Sequence, residues 1–270
     1  MTDSIASRIV AVRDKWHTKH HPFFRMMLDG SLDLYPLGVY MASHYKFVEM
    51  ALPSFGFLLW KGPQDVKHAV IENLAEEEGL VAIPRPGHEP HDHTRMIFDF
   101  CNAAGLSDDE VKTLEIGPAW HARRLHYAHT LREEALGTIL AMQATQEGQQ
   151  PALNKEITIP SFLEHYGFDK DAKEIAFFVE HAEADEEHSE RQMALCEKYI
   201  DSPSVAERAM EVCEEACMLR WESITEIYRT HVLKEERLLP PDMAAGTSDP
   251  PARKYRSDRS GNSVPVLTKT

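Results

Sequence analysis

The sequence predicts an all-α protein, a single bundle of about seven or eight helices over residues 1–238 followed by a disordered tail over 239–270. Three observations carry this reading. Apolar residues recur at helical spacing in nearly every segment up to about Arg237. No alternating Val/Ile/Thr run bounded by turn residues occurs, so no strand is expected. Past Leu239 the chain reads "PPDMAAGTSDPPARKYRSDRSGNSVPVLTKT", too rich in Pro, Ser, Gly and Asp to bury a core.

The elements follow in order. "SIASRIVAVRDKW" sets Ile5, Ile9, Val10 and Val12 on one stripe, extended by Trp16. "DLYPLGVYMASHYKFVEMALPSFGFLLW" is a long apolar helix with a kink or break expected near Pro53. "PQDVKHAVIENLAEEEG" opens with Pro in its first turn and stops at Gly79. After the Pro- and His-rich "IPRPGHEPHD" come "HTRMIFDFCNAAG" and then "SDDEVKTLE", where Ser107 and the following acids read as an N-cap and first turn. "PAWHARRLHYAHTLREEALGTILAMQATQEG" is expected as one long helix and "TIPSFLEHYGF" as a short one. "KDAKEIAFFVEHAEADEEHSERQMALCEKYI" and "PSVAERAMEVCEEACMLRWESITEIYRTHVLKEERL" complete the set.

Composition narrows the function classes. A chain of 270 residues holds one large domain with a full core. The formal net charge of −15 argues against nucleic acid or an anionic membrane as partner. No apolar run approaches a membrane span, and "MTDSIASRIVAVRDKW" lacks the order of a signal peptide, so a cytoplasmic protein is expected. Among the cysteines, Cys213 and Cys217 stack on one helix face and read as ordinary helix residues rather than a metal or disulfide pair.

The stretch "EHAEADEEHSE" places His181, Asp185 and His188 four and three residues apart, which stacks them on one helix face. Two imidazoles flanking a carboxylate suit iron, manganese or zinc. From the spacing alone, a ligand set and an acidic, solvated helix face stand equally open; Glu183, Glu186, Glu187 and Glu190 belong to the solvated side. Matching ligands occur elsewhere. Glu77 lies three residues after the buried-side Leu74. His93, rather than His88 or His91, leads into the stripe Met96, Ile97 and Phe100. Glu147 ends an apolar helix running through Ile139, Leu140 and Ala144. Each alone reads as a surface Glu or a loop His; the combination is what matters, because helix-bundle diiron sites use carboxylates and His on facing helices.

The motifs "HPFF", "NLAEEEG", "HTRMIFDFCNAAGL", "ATQEGQQP", "FLEHYGF" and "EHAEADEEHSE", spread between about Trp16 and Ile200, resemble those of the haem-oxygenase-like diiron oxidases and oxygenases, relatives of thiaminase II-like and pyrroloquinoline-quinone synthase-like proteins. The resemblance implies that fold, two Fe(II) ions, the second held more weakly, and dioxygen as co-substrate acting through a peroxo-diferric species. It implies Glu77, His93, Glu147, His181, Asp185 and His188 as metal ligands, with His88 or His91 as a replacement for His93, since the interval from Glu77 is longer here than in relatives. It also implies a small-molecule substrate, an electron donor and a homodimer.

Two departures shape the expected reaction. A p-aminobenzoate-forming chlamydial relative carries, near its N-terminus, a Tyr that it consumes as substrate; here Phe24 stands at that place and Lys155 is offset from the partner Lys, which disfavours a self-consuming synthase. Glu49 sits among Phe47, Val48, Met50, Ala51 and Leu52, where a buried carboxylate needs a partner. By resemblance to N-oxygenating members it is expected as a seventh metal ligand and catalytic residue together with Tyr45; the competing reading puts it on an exposed face. Tyr45, Tyr127, His126 and Arg124 are candidates to line the pocket, although helix-surface positions are the favoured reading for most of them. The favoured reaction is N-oxygenation of an amine. The alternatives are oxidative C–C or C–H cleavage of an amino or fatty acid and, in a different class, a cofactorless thiaminase II-like hydrolase using Cys213 or Cys217, or a binding protein.

Overall fold

The computed structural model describes residues 4–80 and 92–235 and the short segments 253–254 and 266–267; the side chains of 183–188 and 190 fall outside the description. His88, His91 and nearly all of the expected disordered tail also lie outside the described residues. In that tail Arg253–Lys254 pairs antiparallel with Val266–Leu267, a ladder of two residues per strand. That ladder departs from the expectation of no strand and a disordered tail; the other regular elements among the described residues are helical, as expected.

The helices are α1 (Ile5–Lys15), α2 (Pro22–Leu28), α3 (Leu34–Ser54), α4 (Gly56–Lys61), α5 (Gln64–Glu77), α6 (His93–Ala103), α7 (Asp108–Thr113), α8 (Pro118–Glu133), α9 (Leu136–Glu147), α10 (Gln150–Leu153), α11 (Ile159–His165), α12 (Ala176–Tyr199) and α13 (Pro203–Ile227). Local chemistry sets many of the ends. Ser4 and Ser202 cap α1 and α13 through backbone N–H groups of their first turns. Ser107 and Glu110 form a reciprocal capping box on α7. Pro22, Pro118 and Pro203 occupy first-turn positions where no N–H is needed. Gly79 follows α5 with φ +63°, the left-handed conformation that glycine enters without a Cβ penalty.

The element count exceeds the seven or eight expected because long periodic segments are broken and because short helices such as α2 and α10 were not expected from the sequence. The apolar segment that contains Pro53 ends as α3 at Ser54 and restarts as α4 at Gly56. The segment 118–147, expected as one helix, divides into α8 and α9, with Glu134 extended (φ −79°, ψ 162°). Tertiary partners make this second break. Lys61 Nζ donates to the carbonyls of Arg132 and Glu134, both at 3.2 Å. Arg208 grips the Glu134 carboxylate at 3.0 and 2.9 Å. Gly137 lets the start of α9 approach the end of α12; a Cβ there would lie 2.5 Å from the Tyr199 carbonyl oxygen.

The centre of the bundle is α9, buried from Gly137 through Gln146, which packs against α12, α13 and α1. Opposite, α3 lies on α6, α8 and α7. Aromatic contacts link α6, α11 and α12: Phe100 meets Phe162 and Phe178 edge to face, and Phe162 lies tilted against Phe178. A helix as buried as α9 would normally be apolar all round, yet it carries buried Gln143, Thr145 and Gln146. Gln143 and Gln146 mark where the core gives way to a cavity, whereas the Thr145 hydroxyl donates to the Ala141 carbonyl at 2.8 Å. No helix among the described residues is long and apolar enough to cross a membrane.

Candidate functional site

A cavity of about 120 Å³ lies inside the bundle, walled by α3, α5, α6, α8, α9, α12 and α13. At one end three side chains converge: Glu77 from the last position of α5, His93 from the first position of α6, and His181 from α12. One donor atom from each lies within 4.8 Å of the others. Both histidines are buried, at 7 % and 8 % exposure. His93 Nδ1 is 3.0 Å from Glu77 Oε2, and His181 Nε2 is 3.9 Å from Glu77 Oε1.

Helix ends bring the first two together. Leu80 N–H donates to the Ala75 carbonyl, and Glu78 bridges Asp92 in antiparallel fashion, so the chain closes on itself immediately beyond Glu77 and before His93. Asp92 caps α6 by accepting from Arg95 N–H at 3.1 Å. On α12, His181 Nδ1–H donates to the Phe177 carbonyl one turn back at 2.8 Å, which orients the ring so that Nε2 faces Glu77. The ring stacks on Phe177 at 4.0 Å.

The electrostatics follow from this packing. Burial alone would push the Glu77 carboxyl up, but hydrogen bonding and charge from His181 and His93 more than offset it and hold it well below the usual carboxylate range. Glu77 is therefore ionised. A carboxylate and two imidazoles in a buried wall are donors of the type first-row metals take. Ligands sharing one such ion at bonds of about 2.1 Å must sit within roughly twice that distance of each other, which small rotations achieve from the observed spacing. The donor set fits iron.

Of the other expected ligands, Glu147 ends α9 and lines the same cavity, with Gln192 Nε2 donating to its Oε2 at 2.5 Å, but it is not part of the three-residue cluster. Helix α12 runs unbroken through 181–188, so its backbone carries Asp185 and His188 on the His181 face; their side chains lie outside the described residues.

Glu49 and Tyr45 are corrections. Glu49 is exposed, accepts from Tyr45 Oη at 2.8 Å and pairs with Lys46 at 3.2 Å. Burial, reinforced by Glu49, pushes the Tyr45 phenol up to about 12. Neither residue lines the cavity. Helix phase is the reason. The residues of α3 that face the cavity are His44, Phe47, Val48, Ala51 and Leu52; Tyr45 and Glu49 each stand one residue, about 100°, past that stripe. Because α3 packs on several neighbours, apolar residues surround Glu49 in sequence without enclosing it.

The remaining pocket candidates divide. Tyr127 is buried in the wall, its phenol pushed up by burial and by the charge of Glu147. His126 points away to Glu215 at 3.1 Å, and Arg124 does not line the cavity. Phe24 is fully buried in edge contact with Tyr40 at 5.5 Å and does not line the cavity, and Lys155 is exposed.

Sequence reasoning missed three titratable residues in this wall, His44, Arg123 and Arg220, and the uncharged Gln143, Gln146 and Gln150. His44 Nδ1 is buried with no hydrogen-bond partner, and burial, then the charges of Arg123 and Arg220, pull its imidazole down to about 3. The signal for the arginines was periodicity. Arg123 continues the buried stripe of Trp120, Tyr127 and Leu131 on α8, and Arg220 that of Cys213, Ala216 and Cys217 on α13.

Comparison with known proteins identifies the family and the fold. Residues 39–221 match the family described as "Iron-containing redox enzyme". A 4-aminobenzoate synthase of Chlamydia muridarum is 26% identical over 208 residues, covering 76% of this chain and 83% of that protein. The 4-aminobenzoate synthase of Nitrosomonas europaea is 22% identical over 249 residues, covering 87% and 97%. Among solved structures, a haem-oxygenase-like domain from Shewanella denitrificans superposes with a TM-score of 0.67 at 14% identity, covering 84% of this chain and 92% of that one. A TenA homologue from P. horikoshii gives 0.66 at 10% identity, covering 84% and 99%; such structural likenesses speak to the fold. With the match spanning most of the bundle and including Glu77, His93 and His181, the chain belongs to the iron-containing redox enzymes and has the haem-oxygenase-like fold.

Proposed function

We propose that this protein is a non-haem diiron oxidase or oxygenase that uses dioxygen to oxidise a small organic molecule held in the central cavity. The observation that carries the reading is the buried convergence of Glu77, His93 and His181 within 4.8 Å at the cavity wall. With Glu147, Asp185 and His188, these residues would hold two iron ions. When bound, the ions supply redox chemistry with dioxygen, which no side chain of the chain provides.

The chain's own groups do the rest. The Phe177 carbonyl fixes the His181 tautomer. Phe47, Phe55 and Phe177 keep the cavity wall apolar and limit water at the reacting face. Glu77 stays ionised across the physiological range.

The first reaction to consider remains oxygen transfer to an amine nitrogen, with oxidative C–C or C–H cleavage as the alternative. The placement of Glu49 removes one support for the former, so product analysis decides between an oxygenated nitrogen and a shortened or unsaturated carbon skeleton. Self-consumption, as in a 4-aminobenzoate synthase that uses its own Tyr, is disfavoured because Phe24 offers no phenol. The hydrolase reading is also disfavoured. Cys213 and Cys217 are buried outside the cavity; burial pushes both thiols up, Cys217 to about 12, which leaves little thiolate for attack.

Metal analysis of purified protein tests the proposal. Iron at near two ions per chain after anaerobic loading, and oxygen uptake by the ferrous form, are expected. Protein that takes up no iron and consumes no oxygen would overturn it.

A further inference from the structure

A second polar group in the cavity lining is cationic. Arg123 and Arg220 are each 5 % exposed, and among the described residues neither forms an ion pair. Both lean on one residue: Arg123 Nη2 donates to Gln146 Oε1 at 3.3 Å, and Arg220 Nη1 donates to the Gln146 carbonyl at 2.7 Å. Arg220 Nη2 adds a bond to Gln150 Oε1 at 2.7 Å. Four donors remain without an acceptor: Arg123 Nε and Nη1, Arg220 Nε, and Gln146 Nε2. The Arg123 guanidinium lies 4.3 Å from the Phe47 ring centre and 5.2 Å from that of Trp120. Those π-faces orient it and give partial compensation for its charge.

Such an arrangement is costly as it stands. Two like charges share a buried wall, and buried donors without acceptors are rare in folded proteins. Burial, followed by the Arg220 charge, pulls Arg123 down to about 9, so it stays protonated at neutral pH but strained towards neutrality. Water would satisfy hydrogen bonds and leave the charge. A carboxylate supplies both, since its two oxygens accept several bonds and match a guanidinium fork.

We infer that Arg123, Arg220 and the Gln146 amide form the carboxylate-binding end of the cavity, so that the substrate is a small organic acid whose carboxylate is held here while its far end faces Glu77, His93 and His181. This deepens the proposed function and rests on it for the identity of the reaction, but the binding step is separable. A dry cavity of about 150 Å³ accommodates benzene, so the observed volume of about 120 Å³ suits a short chain or a single ring.

The test is calorimetric titration of the full-length protein with butyrate and benzoate, and with butyramide and benzamide as neutral matches, with iron content measured on the same samples. The acids should bind at least about tenfold more tightly than the amides, the scale of hydrogen bonds to charged groups. Arg123→Gln and Arg220→Gln should each remove that preference and leave iron content unchanged. Arg123→Lys and Arg220→Lys keep the charge and cover the case of a variant that does not fold; they should retain part of the preference. Acids that bind no better than amides overturn the inference. So does a preference that survives both Gln variants and disappears when iron is chelated, which would place the carboxylate on the metal. Loss of iron uptake with acid binding intact would overturn the diiron reading alone.

Discussion

The two ends of the cavity are both buried and both polar, yet they are balanced differently. At the Glu77 end, the carboxylate and imidazoles satisfy one another and the carboxylate is held ionised. At the Arg123 end, two guanidiniums converge on one glutamine, with donors left over. A self-satisfied cluster is ready to exchange its internal contacts for a cation. A cluster with surplus donors is ready for an anion. If both proposals hold, the difference assigns opposite kinds of ligand to two groups in one lining and would orient a substrate between them.

The largest effect should come from dismantling the first end. Glu77→Ala or His181→Ala should lower bound iron to well below one ion per chain and cut oxygen uptake by more than about 100-fold, beyond the loss typical of outer-shell partners. Metal analysis and an oxygen electrode read both. Arg123→Gln should break the other end instead, lowering kcat/KM for an acid substrate by roughly 10- to 100-fold with iron retained. If it released iron to the same extent as His181→Ala, the two ends would not be independent.

A third measurement separates the cavity from its frame. His21 Nδ1 accepts from Phe23 N–H at 3.1 Å, so its Nε2–H donates to Thr225 Oγ1 at 3.1 Å, and burial pulls the imidazole from 6.5 to about 4. Between those values the unfolded chain binds a proton that the native chain does not, so stability falls as pH drops through that window. His17, pulled by burial to about 3, acts in the same direction. Tm should therefore fall between about pH 6.5 and about pH 4, and His21→Asn, which can still cap α2, should flatten the slope without altering iron content. The smallest effect belongs to Glu49→Ala, which removes a surface pair with Lys46. It should cost under about 1 kcal/mol in denaturant unfolding and leave iron and turnover unchanged; loss of iron would return Glu49 to the metal end.

Much of the fold was legible because its boundaries are chemical. The capping box at Ser107, Pro118 and Pro203 at helix starts and Gly79 at a helix end act through local backbone needs. The break between α8 and α9 was not legible, since the partners that make it, Lys61 and Arg208, come from distant sequence. Within the site, His181 and His93 could be read from their phase relative to apolar stripes. Glu49 was misplaced because α3 buries more than one face, so apolar neighbours did not define the inward direction. Arg123 and Arg220 drew no reading from the sequence, although each occupies a position that its helix otherwise fills with buried residues.

The Glu78–Asp92 bridge has a consequence for how this chain can change over generations. It acts as a clasp that joins the stems on either side and holds the last residue of α5 beside the first residue of α6. The number of residues inside the clasp then matters little to the ligands it brings together, because each doubling of a loop adds only about 0.6 kcal/mol of closure cost. The interval between Glu77 and His93 can therefore lengthen or shorten over generations while these two side chains stay beside one another.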